Sequence, residues 1–164
     1  MRNTGADQVS PRLPLGEARQ QLAGLLTGET DLVANAANTS AFLNALLPDI
    51  NWVGFYFLKG DELVLGPFQG ESACVRIPIG KGVCGTAVAQ NATQRVADVH
   101  AFPGHIACDI RSRSEIVVPV RDAQGAVRGV LDIDSPSPDR FSASDQELVE
   151  ALAYDFSEIC FGEG

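Results

Sequence analysis

The chain has 164 residues, 45% of them hydrophobic and 20% charged, with a formal net charge of −9. That length fits one domain with a sizeable core and the composition excludes a disordered polymer. The acidic balance argues against a nucleic-acid partner, because phosphate binding needs a basic stripe and none is present; it leaves room for a small cationic ligand, which an acidic pocket would favour. No apolar run approaches the roughly 20 residues of a membrane span, and residues 1–14 lack the apolar core of a signal peptide. The expectation is a cytoplasmic protein with a flexible N-terminal lead over 1–14 and one domain over 15–161. In that compartment its four cysteines read as free, catalytic or redox-active thiols rather than as a structural disulfide framework.

Over residues 16–29, Ala18, Leu22, Leu25 and Leu26 recur at helical spacing. Thr30 reads as the cap of a second helix, with Leu32, Val33, Ala36, Ala37 and Leu43 as apolar positions and Pro48 as its stop. Asn51–Leu58, NWVGFYFL, is the strongest strand signal, and Lys59-Gly60-Asp61 turns it into an antiparallel partner, ELVLGPF. Alternation puts Trp52, Gly54, Tyr56 and Leu58 on one face and Val53, Phe55 and Phe57 on the other. The second face reads as core. The first offers an aromatic wall with two polar handles and space beside it at Gly54. The alternative is that both rings merely close the core, with their polar ends at the surface.

Ser72–Ile79 reads as a short strand carrying Cys74, followed by GKGVCGTAVAQN, a glycine-rich turn into a helix from about Val83 to Gln90. The GxxxxGK order of a nucleotide-binding loop is absent. Backbone N–H groups at a helix start stabilise anions and lower a thiol pKa, so Cys84 is placed for chemistry, or else is a small buried residue in a tight turn. Asp98–Pro119 then puts Cys108 in a loop rich in Gly, Pro and His, and Glu115 opens the next strand seven residues on. Asp122–Gly125 makes a hairpin turn into AVRGVLDID. There Asp132 and Asp134 share a face, which is costly unless a cation, a shared proton or solvent offsets the repulsion. Ser142 and Asp145 open a last helix with the stripe Leu148, Val149, Leu152, Phe156 and Ile159; Cys160 beside it reads as core filler. The fold class is α+β, with a central antiparallel sheet of about six strands and helices packed mainly on one face.

Cys74, Cys84 and Cys108, with His100 and His105 nearby, lack the close C-x-x-C pairs of structural zinc, so no metal and no bound cofactor are expected. A thiol–disulfide cycle needs one attacking thiol and a partner on a movable segment, and Cys108 and Cys74 both sit in or beside loops. Carboxylates raise a nearby thiol pKa, which argues against simple thiolate activation. They suit a reaction in which a carboxylic acid protonates a departing oxygen as sulfur attacks, and sulfoxide reduction is one.

Six motifs in order, NWVGFY, GPFQG, GKGVCGTA, DVHAFPGHIACD, SEIVVP and GVLDID, resemble those of the free methionine-(R)-sulfoxide reductases, small members of the GAF fold. The resemblance runs from about Leu15 to Leu152 and implies reduction of free L-methionine-(R)-sulfoxide to methionine. It implies Cys108 as nucleophile, Cys74 as the resolving cysteine and Cys84 as a third cysteine by the site that assists or substitutes. Glu115, Asp132 and Asp134 would hold the substrate ammonium and polarise or protonate the oxygen, with Trp52 and Tyr56 around the methyl-sulfur end. It further implies thioredoxin as external reductant and a homodimer. The alternative from another class is a non-catalytic GAF module that binds a small ligand or senses redox state, which would have no need of Cys108 together with Cys74.

Overall fold

A computed structural model describes residues 10–105 and 111–162. In chain order the elements are α1 (Leu15–Leu26), α2 (Leu32–Leu46), β1 (Trp52–Lys59), β2 (Glu62–Gly70), β3 (Arg76–Pro78), α3 (Gly82–Gln90), β4 (Gln94–Val96), β5 (Ser114–Arg121), β6 (Val127–Ser135) and α4 (Ala143–Phe161). The strands form one sheet in the order β3-β2-β1-β6-β5-β4, with every neighbouring pair antiparallel. This is the α+β architecture expected from the sequence. Its sixth strand, β4, is a three-residue edge segment, too short for alternation to reveal.

Both sheet faces are covered, so the central strands are buried on each side. Helices α1, α2 and α4 cover one face, where Leu22, Leu43, Phe55, Ile133 and Phe156 belong to a common core. Phe55 stacks on Phe156 with ring centroids 4.5 Å apart. On the other face α3 packs Val83, Ala87 and Val88 against Trp52, Tyr56, Val117 and Val130. Among the described residues, three α-helices lie on one side and a short one on the other. No described helix is long and apolar enough to cross a membrane.

Several local expectations shift. The cap of α2 is Asp31, whose side chain accepts from Ala34 N at 2.9 Å, because Thr30 N instead donates to Glu29 Oε2. The buried face of α2 runs through Ala36, Thr39, Ser40, Leu43 and Leu46. Val33 and Ala37 lie off that stripe, and Val33 is 63% exposed. Leu25 and Ile159 likewise rotate outward from α1 and α4. Cys74 is not on a strand: β3 starts only at Arg76, and residues 72–75 form an irregular approach to it. By contrast the capping box of α4 forms as read, with Ser142 Oγ accepting from Asp145 N and the Asp145 carboxylate from Ser142 N.

One end of the sheet is fastened by a buried polar network. The Arg140 guanidinium donates to Pro48 O at 3.0 and 2.8 Å and to Asp145 Oδ2 at 3.0 Å, with its side chain fully buried. Arg140 N donates to Ser114 Oγ, and Ser135 Oγ donates to Asp49 O. Ser114 and Ser135 are directly paired across β5 and β6. The network thus fixes the strand ends from which Glu115 and Asp134 project.

Candidate active site

The site is a consequence of register. Pairing sets Trp52 opposite Asp134, Gly54 opposite Asp132 and Glu115 opposite Asp134. Period-two alternation then directs Trp52, Tyr56, Glu115, Asp132 and Asp134 to the face that carries α3. They meet there with Cys84, from the first turn of α3, around a cavity of about 50 Å³. Glu115 and Asp132 are buried at 7% and 5% exposure, so the solvated strand end considered for the aspartates does not describe Asp132. Cys84 Sγ and a carboxylate oxygen from each of Glu115 and Asp132 lie within 4.8 Å of one another. Asp132 Oδ1 is buried without a hydrogen-bond partner among the described residues.

Burial and mutual repulsion decide where the protons sit. Desolvation first, then the charges of Asp132 and Asp134, hold the Glu115 carboxyl well above the usual carboxylate range. Asp132 is pushed up by burial and pulled back by hydrogen bonds from Glu115 and Cys84. Both carboxyls thus resist ionisation, and a hydrogen bond joins Glu115 to Asp132. Burial followed by the three neighbouring carboxylates raises the Cys84 thiol well above its usual value. The helix start therefore does not activate Cys84, because burial first and the acidic cradle second favour its neutral thiol. Burial also raises the Tyr56 hydroxyl.

A stability prediction follows from Glu115. Between the ordinary carboxylate pKa and its raised folded value, the native state holds a proton that the unfolded chain has released, so stability falls as pH rises through that window. Glu115→Gln removes this titration. The variant is expected to melt above the wild type at mildly alkaline pH, with the difference shrinking toward acid. Each 1 kcal/mol gained corresponds to roughly 2–4 °C in a domain of this size. Melting curves across that pH range test it, and a variant that melts below wild type at the alkaline end would show that Glu115 is ionised in the fold.

The aromatic wall differs from the sequence reading in two ways. Space at Gly54 is filled from β2: a Cβ at Gly54 would lie 2.3 Å from Phe68 Cβ, and the Phe68 ring stacks on Trp52 at 5.2 Å. The polar ends of the rings are not at the surface either. Trp52 Nε1 donates to Glu71 O at 3.0 Å and Tyr56 Oη donates to Cys74 O at 2.9 Å. Both rings thus clamp the segment that carries Cys74. That residue is disulfide-bonded, whereas Cys84 and Cys160 are free thiols.

Cys108 lies outside the described residues. On the near side of that segment, His105 lines the cavity and its pKa is lowered by burial and by His100, whose ring lies 6.3 Å away. On the far side Ser112, 5% exposed, also lines the cavity, and its Oγ accepts from Asn51 Nδ2 at 3.1 Å. Lys81 and Ser72 also line the cavity. Sequence reasoning did not single out Ser72, Lys81 or Ser112, since an isolated serine or lysine carries no pattern. Cys160 belongs to the opposite face, half-buried against the first core, with Asn35 Nδ2 3.7 Å from its Sγ.

Known proteins resemble this chain in sequence and in fold. The GAF domain family pattern matches residues 20–159. The free methionine-R-sulfoxide reductase of Escherichia coli is 55% identical over 135 residues, covering 82% of this chain and 81% of that protein. The Saccharomyces cerevisiae protein of the same name is 45% identical over 144 residues, covering 84% and 80%. A free methionine-R-sulfoxide reductase from Neisseria meningitidis, solved in complex with its substrate, superposes with a TM-score of 0.83 at 47% identity, covering 88% of this chain and 87% of that one.

Proposed function

The chain belongs to the GAF-domain family of free methionine-R-sulfoxide reductases, and on that footing we propose that it reduces free L-methionine-(R)-sulfoxide to L-methionine. The observation that carries the reading is the buried acidic cradle. A protonated Glu115 sits beside an Asp132 oxygen that lacks a donor, facing Trp52 and Tyr56 across one small cavity. An ammonium group satisfies that oxygen, the aromatic wall takes the methyl-sulfur end, and the carboxylic acid supplies a proton. Asp134 adds negative charge to the same cradle.

In the first step Cys108 Sγ attacks the sulfoxide sulfur while Glu115 protonates its oxygen. The S–O bond of the substrate breaks, methionine leaves reduced by two electrons, and Cys108 becomes a sulfenic acid; its thiol proton restores the Glu115 carboxyl. Cys74 Sγ then attacks the Cys108 sulfur, expelling water and forming the disulfide. Thioredoxin returns two electrons and two protons, releasing both thiols. Trp52 and Tyr56 serve the cycle twice, walling the substrate and holding the Cys74 segment beside it. The oxidised state of Cys74, against free Cys84 and Cys160, supports Cys74 as the resolving thiol. Cytoplasmic location and a homodimer belong to the same reading.

Selectivity for the free amino acid tests the cradle. An acylated amine cannot offset the buried charge, so N-acetylmethionine-(R)-sulfoxide is expected to lose on the order of 10⁴-fold in kcat/KM. Thioredoxin-coupled NADPH oxidation measures both substrates, and equal rates would remove the role given to the carboxylates. Cys74→Ser probes the second step. With thioredoxin present it is expected to release about one equivalent of methionine and then stall at the sulfenic acid. The raised thiol of Cys84 makes it a slow substitute. Multiple turnover at the wild-type rate would reassign the resolving cysteine.

A further inference from the structure

We infer that the cavity also forms a binding site for a thiophilic divalent cation of the zinc class, held by Cys84 Sγ and by one carboxylate oxygen each from Glu115 and Asp132. These donors come from α3, β5 and β6, 31 and 17 residues apart along the chain, so no short cysteine pair announces them. The three ligand atoms lie within 4.8 Å of one another, and all three residues are buried. Tetrahedral zinc, with bonds of about 2.0–2.3 Å, spaces its ligands roughly 3.4–3.6 Å apart. Side-chain movements of about 1 Å would close the set.

Beyond the spacing of that cluster, the unpaired Asp132 Oδ1 within it points to a ligand. It is a carboxylate oxygen on a side chain with 5% exposure, it has no hydrogen-bond partner among the described residues, and its side chain lines the cavity. Leaving such an atom unpaired costs free energy that a bound cation returns. The donor chemistry selects the cation. One sulfur and two oxygens are too few and too soft for calcium or magnesium, and a thiolate with carboxylates suits zinc and its thiophilic neighbours. Three unit negative charges balance the dication with one to spare once the thiol and carboxyl protons have passed to water. The fourth position faces the cavity and takes a water molecule, as in zinc sites that stay open. A cation here occupies the space in which an amine head would lie, so one excludes the other.

Cobalt(II) titration of the reduced, metal-free full chain provides the test, with no substrate present, so its failure is separate from any failure of the reductase reading. The expected result is a near-ultraviolet thiolate-to-cobalt band with the visible absorption of four-coordinate cobalt, saturating at one ion per chain and erased by zinc. Cys84→Ser should lose the thiolate band. Asp132→Asn should keep the band at saturation but bind at least roughly 10- to 100-fold more weakly, the scale on which even supporting partners act. Absence of a thiolate band in the wild type, or its survival in Cys84→Ser, overturns the site. Should Cys84→Ser fail to fold by circular dichroism, an unchanged midpoint in Asp132→Asn overturns it equally.

Discussion

Cys108→Ser is expected to lower the turnover of free methionine-(R)-sulfoxide by roughly 10⁴-fold or more, the scale on which removing a covalent nucleophile acts. A serine hydroxyl is a far weaker nucleophile toward sulfur and cannot carry the oxidation through a sulfenic acid to a disulfide. The substitution leaves Glu115, Asp132, Trp52 and Tyr56 untouched, so the variant should still bind the sulfoxide. The informative experiment pairs chromatographic measurement of methionine, with thioredoxin present, and calorimetric titration of the same variant. Loss of turnover with binding retained assigns Cys108 to chemistry. Sustained turnover would remove it from the nucleophile's role, leaving the cycle without an attacking sulfur, since burial and then its carboxylate neighbours hold Cys84 as a thiol.

Arg140→Ala is expected to be the most destabilising of the substitutions considered, by about 3–5 kcal/mol, the usual cost of leaving a buried charge without its partner. At roughly 2–4 °C per kcal/mol, its melting temperature should fall by on the order of 10 °C. The Arg140 side chain is fully buried and Asp145 nearly so, and two of its hydrogen bonds satisfy the Pro48 carbonyl. Truncation strands that carbonyl and leaves the Asp145 carboxylate that caps α4 without its buried counter-charge. The Arg19–Asp155 pair is the internal control: it is bidentate, but Arg19 is largely exposed, so Arg19→Ala should cost no more than about 1 kcal/mol. Thermal melts of both variants decide the matter, and comparable losses would mean that the buried network is not what holds this end of the sheet.

Much of the site was legible because its parts have local signatures. The NWVGFYFL run announced a strand, and its alternation separated Phe55, bound for the helical core, from Trp52 and Tyr56. The spacing of Asp132 and Asp134 required them to share a face. Elsewhere local pattern was a poor guide. Val33 and Ala37 fit an apolar helix by composition, yet the stripe through Ala36, Leu43 and Leu46 leaves them outside. Ser112 reaches the cavity through the path of the chain, which no residue pattern foretells.

Taken alone, the sequence determined the longer helices and strands, the faces of the β1 residues and of Asp132 and Asp134, and the six motifs that identify the family, because helix and strand periods and turn chemistry act over a few neighbouring residues. Tertiary structure decided what those residues do to each other. Strand register placed Glu115 opposite Asp134 and let it share a proton with Asp132. Packing of β2 filled the space at Gly54 with Phe68, and folding of the Cys74 segment onto β1 turned two ring donors into clamps. Desolvation raised the Cys84 thiol that a helix start alone would have lowered. Each of these depends on groups far apart in the chain and on the loss of water between them, and neither is encoded in any local spacing.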